Sequence, residues 1–249
     1  MIRKRPYATS IGSKAKQSAT ETTCESALRY VQANFPPLAK FDEAFPFVAL
    51  KHQIYALIDD RTRVDRDLDR LTADNRIRTF KMNTTPNEYA VVWMDDLVAH
   101  LDRVLLRDDD ENRRRLARKF VGKCLACYAD VAVDRAHLCD DLGFSVADIR
   151  ALIAMGLLTA RDVGSYWLSL PGMGAYVQAL TKGREAALRA IRSTKYKEIM
   201  REELTERKIG ACKLGMTYHV LDLVGADLVT RIPTTSGTLL RIDKASSKQ

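Results

Sequence analysis

From Thr22 onward, apolar residues recur at helical spacing and give way at intervals to paired short alternating runs, an order met three times along the chain. In the first pass, Ala27, Leu28, Val31 and Phe35 mark one helix, and Val48, Leu50, Ile54, Leu57 and Ile58 mark a second. A third helix is predicted from about Thr62 to Asn75. It yields to Ile77–Phe80, a polar turn at Asn83–Asn87, and Tyr89–Trp93, the signature of a hairpin. A further helix carries Leu97, Leu101, Val104 and Leu105 to the acidic run Asp108–Glu111, which favours the start of the next helix.

The second pass predicts helices from about Asn112 to Ala129, Ala136 to Leu142 and Val146 to Met155. Leu157–Thr159 and Tyr166–Leu168 then flank a turn at Asp162–Ser165. A long helix from Ala175 to Ile191 leads to the third pass, with helices near Tyr196–Glu206 and Tyr218–Val224 and strands at Asp227–Ile232 and Thr238–Ile242. Helix, helix, helix, hairpin is the order of a winged helix, the hairpin being the wing. The three helix-to-strand junctions superpose in spacing: Leu71 to Ile77, Leu152 to Leu158, Leu223 to Val229. The expected fold is therefore mainly α with small β-hairpins, an α+β chain of three tandem winged-helix units. Its expected divisions are a disordered basic tail (1–21), winged helix 1 (22–110), winged helix 2 (111–171), a linking helix (172–194), winged helix 3 (195–243) and a C-terminal tail (244–249).

Charge separates these regions. The net charge is +8 over 249 residues, but residues 1–21 carry +4, 22–110 carry −4, 111–171 carry +2 and 172–249 carry +6. A basic surface draws polyanions and an acidic one does not, so the ends and the middle are expected to meet different partners. No apolar run reaches the roughly 20 residues of a membrane span. Behind Arg3-Lys4-Arg5-Pro6 there is no apolar core of a signal peptide, and five cysteines fit reduced thiols in an intracellular protein. Cys124 and Cys127, with His137 and Cys139 nearby, invite a zinc reading. The pair lies within a helical apolar pattern, so core packing is the expectation and no metal or other cofactor is assigned.

Catalytic constellations are missing. Gly172-Met173-Gly174 ends in Val177 and precedes a helix, Asp141-Leu142-Gly143 lacks the phenylalanine of a kinase metal site, and no HRD loop precedes it. The four histidines His52, His100, His137 and His219 are scattered and read as structural. No catalytic residue is assigned.

Basic side chains carry the stronger signal. On the long helix Lys182, Arg189 and Arg192 fall within roughly 80° of arc, and Arg184, Lys195, Lys197, Arg201, Arg207 and Lys208 extend the basic region. These nine are the expected DNA-binding residues, since clustered Lys and Arg neutralise phosphates without reading sequence. Arg63, Arg66 and Arg70 on the third helix, and Arg113, Arg114 and Arg115, are secondary candidates. Asp65, Asp67 and Asp69 dilute the first set, and Asp108–Glu111 can pair with the second.

The segment Leu214-Gly215-Met216-Thr217-Tyr218-His219-Val220 through Asp222-Leu223-Val224-Gly225-Ala226, with Thr234-Thr235-Ser236-Gly237-Thr238-Leu239-Leu240-Arg241, resembles the family named serine/threonine-protein kinase nineteen. Lys182-Gly183-Arg184, Lys195-Tyr196, Leu168–Gly172, His52–Tyr55, Asp60-Arg61-Thr62 and Val64-Asp65 resemble it in the same order, so the likeness covers roughly residues 45–242. The resemblance implies three winged helices without kinase activity, in a nuclear DNA-binding protein of transcription-coupled nucleotide excision repair. It implies contact with RNA polymerase II, other transcription-coupled repair factors and downstream DNA, and placement of TFIIH through its XPD subunit. Double-stranded DNA, or RNA, is the expected ligand, with a homodimer on DNA also considered and no membrane partner. Lys182, Arg184, Arg192, Lys195 and Arg207 align with basic family positions, whereas Gln178 and Ser193 are neutral where lysine is expected. The alternative is a winged-helix scaffold for proteins without direct DNA binding, and the least favoured reading is a protein kinase.

Overall fold

The computed structural model describes residues 23–42, 44–82, 87–106, 110–125 and 128–242. Both expected tails, the Asn83–Pro86 part of the first turn, Asp108, Asp109 and Cys127 lie outside them.

Three elements of the first segment pack behind its hairpin: α1 (Cys24–Ala33), α2 (Lys51–Tyr55) and α3 (Arg61–Ala73). Thr23 caps α1 by accepting the Ser26 N–H, and Asp60 caps α3 by accepting the Arg63 N–H, each satisfying a donor the helix leaves open. Strands β1 (Ala49–Leu50), β2 (Ile77–Lys81) and β3 (Tyr89–Trp93) form an antiparallel sheet ordered β1-β3-β2. Helix α4 (Met94–Leu106) leads on to the middle segment, with α5 (Glu111–Phe120), β4 (Ala132–Asp134), α6 (Val146–Ala154), β5 (Leu158–Asp162) and β6 (Ser165–Leu168). The last contains α7 (Met173–Arg192), β7 (Glu198–Met200), α8 (Arg201–Glu206), α9 (Met216–Gly225), β8 (Thr230–Thr234) and β9 (Gly237–Arg241). All three sheets have the same order, the short first strand pairing with the third and the third with the second.

The three superposed junctions share more than spacing. Asn75, Gly156 and Asp227 each stand four residues after the aligned leucine and are left-handed, with φ of 55°, 76° and 55°. The next residue's N–H then returns to the leucine carbonyl in every case: Arg76 to Leu71 at 2.9 Å, Leu157 to Leu152 at 3.0 Å, and Leu228 to Leu223 at 2.9 Å. This closure ends the helix and aims the chain into the hairpin. Asn, Gly and Asp are the residue types that tolerate that conformation.

Several expected boundaries are corrected. The helix expected around Val48–Ile58 is strand at Ala49–Leu50 and helical only from Lys51. Likewise, the helix expected at Tyr196–Glu206 begins at Arg201, because Lys197 is left-handed (φ 56°) and Glu198–Met200 pair with Leu239–Arg241 of β9. The helix expected to run from Asn112 to Ala129 leaves α geometry after Phe120 for a π-helical turn at Val121–Leu125, and β4 was not anticipated. Cys124 is buried in the core, as expected.

One apolar cluster runs from Cys24 to Leu221 and takes in side chains of all three segments, while a second gathers Ala187, Ile191, Ile199, Leu204, Leu223 and Leu240 in the last. Helix α7 contributes to both, with Tyr176 and Leu180 in the first and Ala187 and Ile191 in the second. It is therefore an integral core element, not only a connector. Among the described residues no helix is long and apolar enough to cross a membrane.

Candidate nucleic-acid interface

Helix α7 turns its buried stripe of Leu180, Gly183, Ala187 and Ile191 onto the core. Lys182, Arg189 and Arg192 lie off that stripe and are exposed. Past the helix end, a tight turn presents Lys195, Tyr196 and Lys197 to solvent. None of these five cations forms an ion pair among the described residues, and the same holds for exposed Lys208. Arg201 is half-buried, whereas Arg207 is held by Glu203 at 2.6 Å. The C-terminal hairpin adds less than its composition suggests, because Arg231 donates to the Ala56 carbonyl and Asp59, and Arg241 pairs with Glu198.

Arg184, expected on the DNA-binding surface, points the other way. Its guanidinium donates to both carboxylate oxygens of Asp222, at 2.8 and 2.7 Å, and to Glu88 at 2.5 Å. Asp222 and Glu88 are 0% and 2% exposed, so this arginine neutralises buried acid and is not available to a phosphate. His52 Nε2 lies 2.7 Å from Asp222 Oδ1 and completes the cluster. Burial alone would raise the Asp222 carboxyl, but hydrogen bonds from His52 and Arg184 prevail and hold it at about 2. His52, Glu88 and Asp222 have a spacing compatible with a metal ion, yet Arg184 already supplies positive charge to the two carboxylates. Nearby, Tyr218 donates to the Val48 carbonyl and meets the Tyr176 hydroxyl at 2.7 Å, while Gln53 bridges the Leu50 N–H and the Tyr218 carbonyl. A polar seam thus ties the first segment to the last.

His219 lies beside it, fully buried, with neither ring nitrogen hydrogen-bonded among the described residues. Burial pushes its imidazole down to about 4, so it is neutral near pH 7. Gly183 makes room for it: a Cβ there would stand 2.1 Å from Nε2. Gly172, the first glycine of the kinase-like run, has φ 83° and a Cβ there would meet the Ala44 carbonyl oxygen at 1.8 Å. That glycine serves backbone packing.

The secondary candidates are more encumbered. On α3, Arg63 is half-buried with a partner, Arg66 turns back to the Thr62 carbonyl, and Arg70 pairs with Asp67 at 3.3 Å. On α5, Arg114 pairs with Glu111, Arg115 reaches Asn112, and Arg113 lines a cavity of about 210 Å³ with Leu101, Ala117 and Met155. Helix α9, which precedes the last hairpin, buries eight of its ten residues. Sequence reasoning passed over the Glu88–Arg184–Asp222–His52 cluster and exposed Tyr196. The first had a signal in spacing: Leu180, Arg184, Ala187 and Ile191 follow the four-three-four rhythm of one buried helix face.

Comparison with known proteins finds relatives over most of the chain. A human protein named winged helix repair factor 1 is 36% identical over 207 residues, covering 83% of this chain and 80% of its own. The protein of that name from Xenopus laevis is 36% identical over 219 residues, covering 88% and 83%. A Schizosaccharomyces pombe protein named serine/threonine-protein kinase mug51 is 29% identical over 116 residues, covering 44% and 38%. The family model described as inactive serine-threonine protein kinase 19 matches residues 31–242, and the chain belongs to that family.

Proposed function

We propose that this chain is a non-enzymatic repair adaptor of three tandem winged helices that binds double-stranded DNA through the C-terminal face of α7 and the turn that follows. The observation that carries the reading is the set of exposed cations without ion pairs at Lys182, Arg189, Arg192, Lys195 and Lys197. Such groups keep their full charge for phosphates and release counterions on contact. The winged-helix assignment is supported by the common sheet order, the repeated left-handed junction and the names of the relatives. In this reading α7 is the first helix of the third unit.

With α9 buried, the helix that precedes the third hairpin offers little exposed face to a major groove, and binding is directed to the backbone without base readout. The inactive description of the family supports a role without phosphate transfer. A nuclear location and partnership with RNA polymerase II, other transcription-coupled repair factors and TFIIH belong to the same proposal. Helix α6, which exposes Val146 and Ile153, is suited to a protein contact.

The test is duplex binding by the full chain across a salt series, for the wild type and for Arg192→Glu with Lys195→Glu. Expected is a steep loss of affinity with salt, a drop of roughly tenfold or more in the double variant, and a shallower salt slope. Unchanged affinity would leave the protein-scaffold alternative.

A further inference from the structure

We infer that this surface is built for a boundary between paired and unpaired DNA, with Tyr196 as the residue on which an unpaired base stacks. The inference rests on the DNA-binding reading above and narrows its substrate.

Tyr196 is 70% exposed, more than any other aromatic side chain among the described residues. A ring left in water forgoes the gain from burying its apolar face, and no apolar side chain of its own turn covers it. Its surroundings are cationic: Lys195 Nζ lies 5.1 Å from the ring centroid, Lys197 follows, and Arg192 precedes on the last turn of α7. The other exposed large apolar side chains belong to other elements, as with Tyr30 on α1, Val146 and Ile153 on α6, and Val163 between β5 and β6. An isolated ring among lysines lacks the apolar surround of a protein hot spot. It matches the aromatic-plus-cation pattern of single-strand binding sites.

The turn is also fixed before any ligand arrives. Thr194 Oγ1 donates to the Ile191 carbonyl at 2.7 Å and accepts the Glu198 N–H at 2.9 Å. The Lys197 N–H donates to the Thr194 carbonyl, and the Lys197 carbonyl accepts the Ile242 N–H, both at 3.2 Å. With Lys197 left-handed, the backbone on both sides of Tyr196 is pinned, so little backbone freedom remains to be lost on contact.

A closed duplex offers such a ring no base face, because its bases are stacked on one another. A fork or bubble edge, where a base is unpaired, does. Lys182 and Arg192 are separated by about 15 Å of helix rise, enough to follow a few phosphates of a strand. The geometry points to a duplex lying along α7, with its first unpaired base over Tyr196.

Fluorescence anisotropy of the full chain on a closed duplex, a forked duplex and a single strand of matched length tests this, with Tyr196→Ala and Tyr196→Trp beside the wild type. Expected is a preference for the fork over the closed duplex of roughly fivefold, lost in Tyr196→Ala and restored in Tyr196→Trp. Closed-duplex affinity should change less than about twofold in both variants. A 2-aminopurine at the first unpaired position should be quenched by the wild type and not by Tyr196→Ala. Equal weakening on all substrates, or no change on any, overturns the inference, the latter assigning the ring to a protein contact. If reversal of Arg192 and Lys195 also leaves every affinity unchanged, the DNA-binding reading itself has failed.

Discussion

On α3, Arg63, Arg66 and Arg70 rise from a helix that also carries Asp65, Asp67 and Asp69; on α7 and its following turn, Lys182, Arg189, Arg192, Lys195 and Lys197 have only Glu185 interleaved. Side-chain engagement widens the contrast. Arg63 has a partner, Arg66 donates to the Thr62 carbonyl and Arg70 pairs with Asp67, while Asp65 is itself claimed by Lys51 and Tyr55. The α7 set forms no ion pairs among the described residues. Two surfaces with similar numbers of cations thus differ in the charge they can offer a polyanion. The lesson holds within α7 too, where Arg184 and Arg192 are two helical turns apart and serve opposite ends.

That internal contrast gives the largest expected effect. Arg184→Met should lower unfolding free energy by about 3–5 kcal/mol in urea denaturation, because Glu88 and Asp222 stay buried without their cation. DNA affinity of the folded fraction should hold. A variant that kept its stability but lost affinity would return Arg184 to the binding surface and break the comparison.

Acid titration probes the buried side of the same helix. His219 has a folded pKa of about 4 against 6.5 when free, so the unfolded chain takes up its proton first as pH falls. Stability from this site is complete above pH 6.5 and is lost on descent toward pH 4, by roughly 3 kcal/mol in total. Asp222 adds a second loss between 3.8 and about 2. Thermal melts of His219→Leu should lack the upper part of this pH dependence. An identical profile in wild type and variant would assign it elsewhere.

The smallest effect is expected on α3. Reversing Arg66 and Arg70 to Glu should change duplex affinity by no more than about twofold, against the tenfold expected at Arg192 and Lys195. Equal losses from the two pairs would show that the local contacts to the Thr62 carbonyl and Asp67 do not separate the surfaces.

Much of this architecture was legible in the sequence where a local rule decided it. The junctions after Leu71, Leu152 and Leu223 were visible because a left-handed stop needs Asn, Gly or Asp at one position. The hairpins were visible through alternation and their turns. Strands β1, β4 and β7 were not, since two or three residues carry no period and become strand only through a partner 31 to 43 positions onward. Among the expected interface residues, exposure followed from helix phase for Lys182, Arg189 and Arg192. Arg184 was misread because composition outweighed its place on the apolar stripe, and the carboxylates that claim it come from β3's approach and from α9, far away in sequence.

The seam through Arg184 bears on how the chain can be taken apart. Glu88 lies 96 positions before Arg184, and Val48 accepts from Tyr218 across 170. A fragment ending near residue 110 would keep Glu88 without its counter-charge, and one beginning near 172 would keep Arg184 without Glu88. The pieces a modular reading invites are thus poor guides to the whole, and heating the intact chain should register one cooperative melting event across these segments.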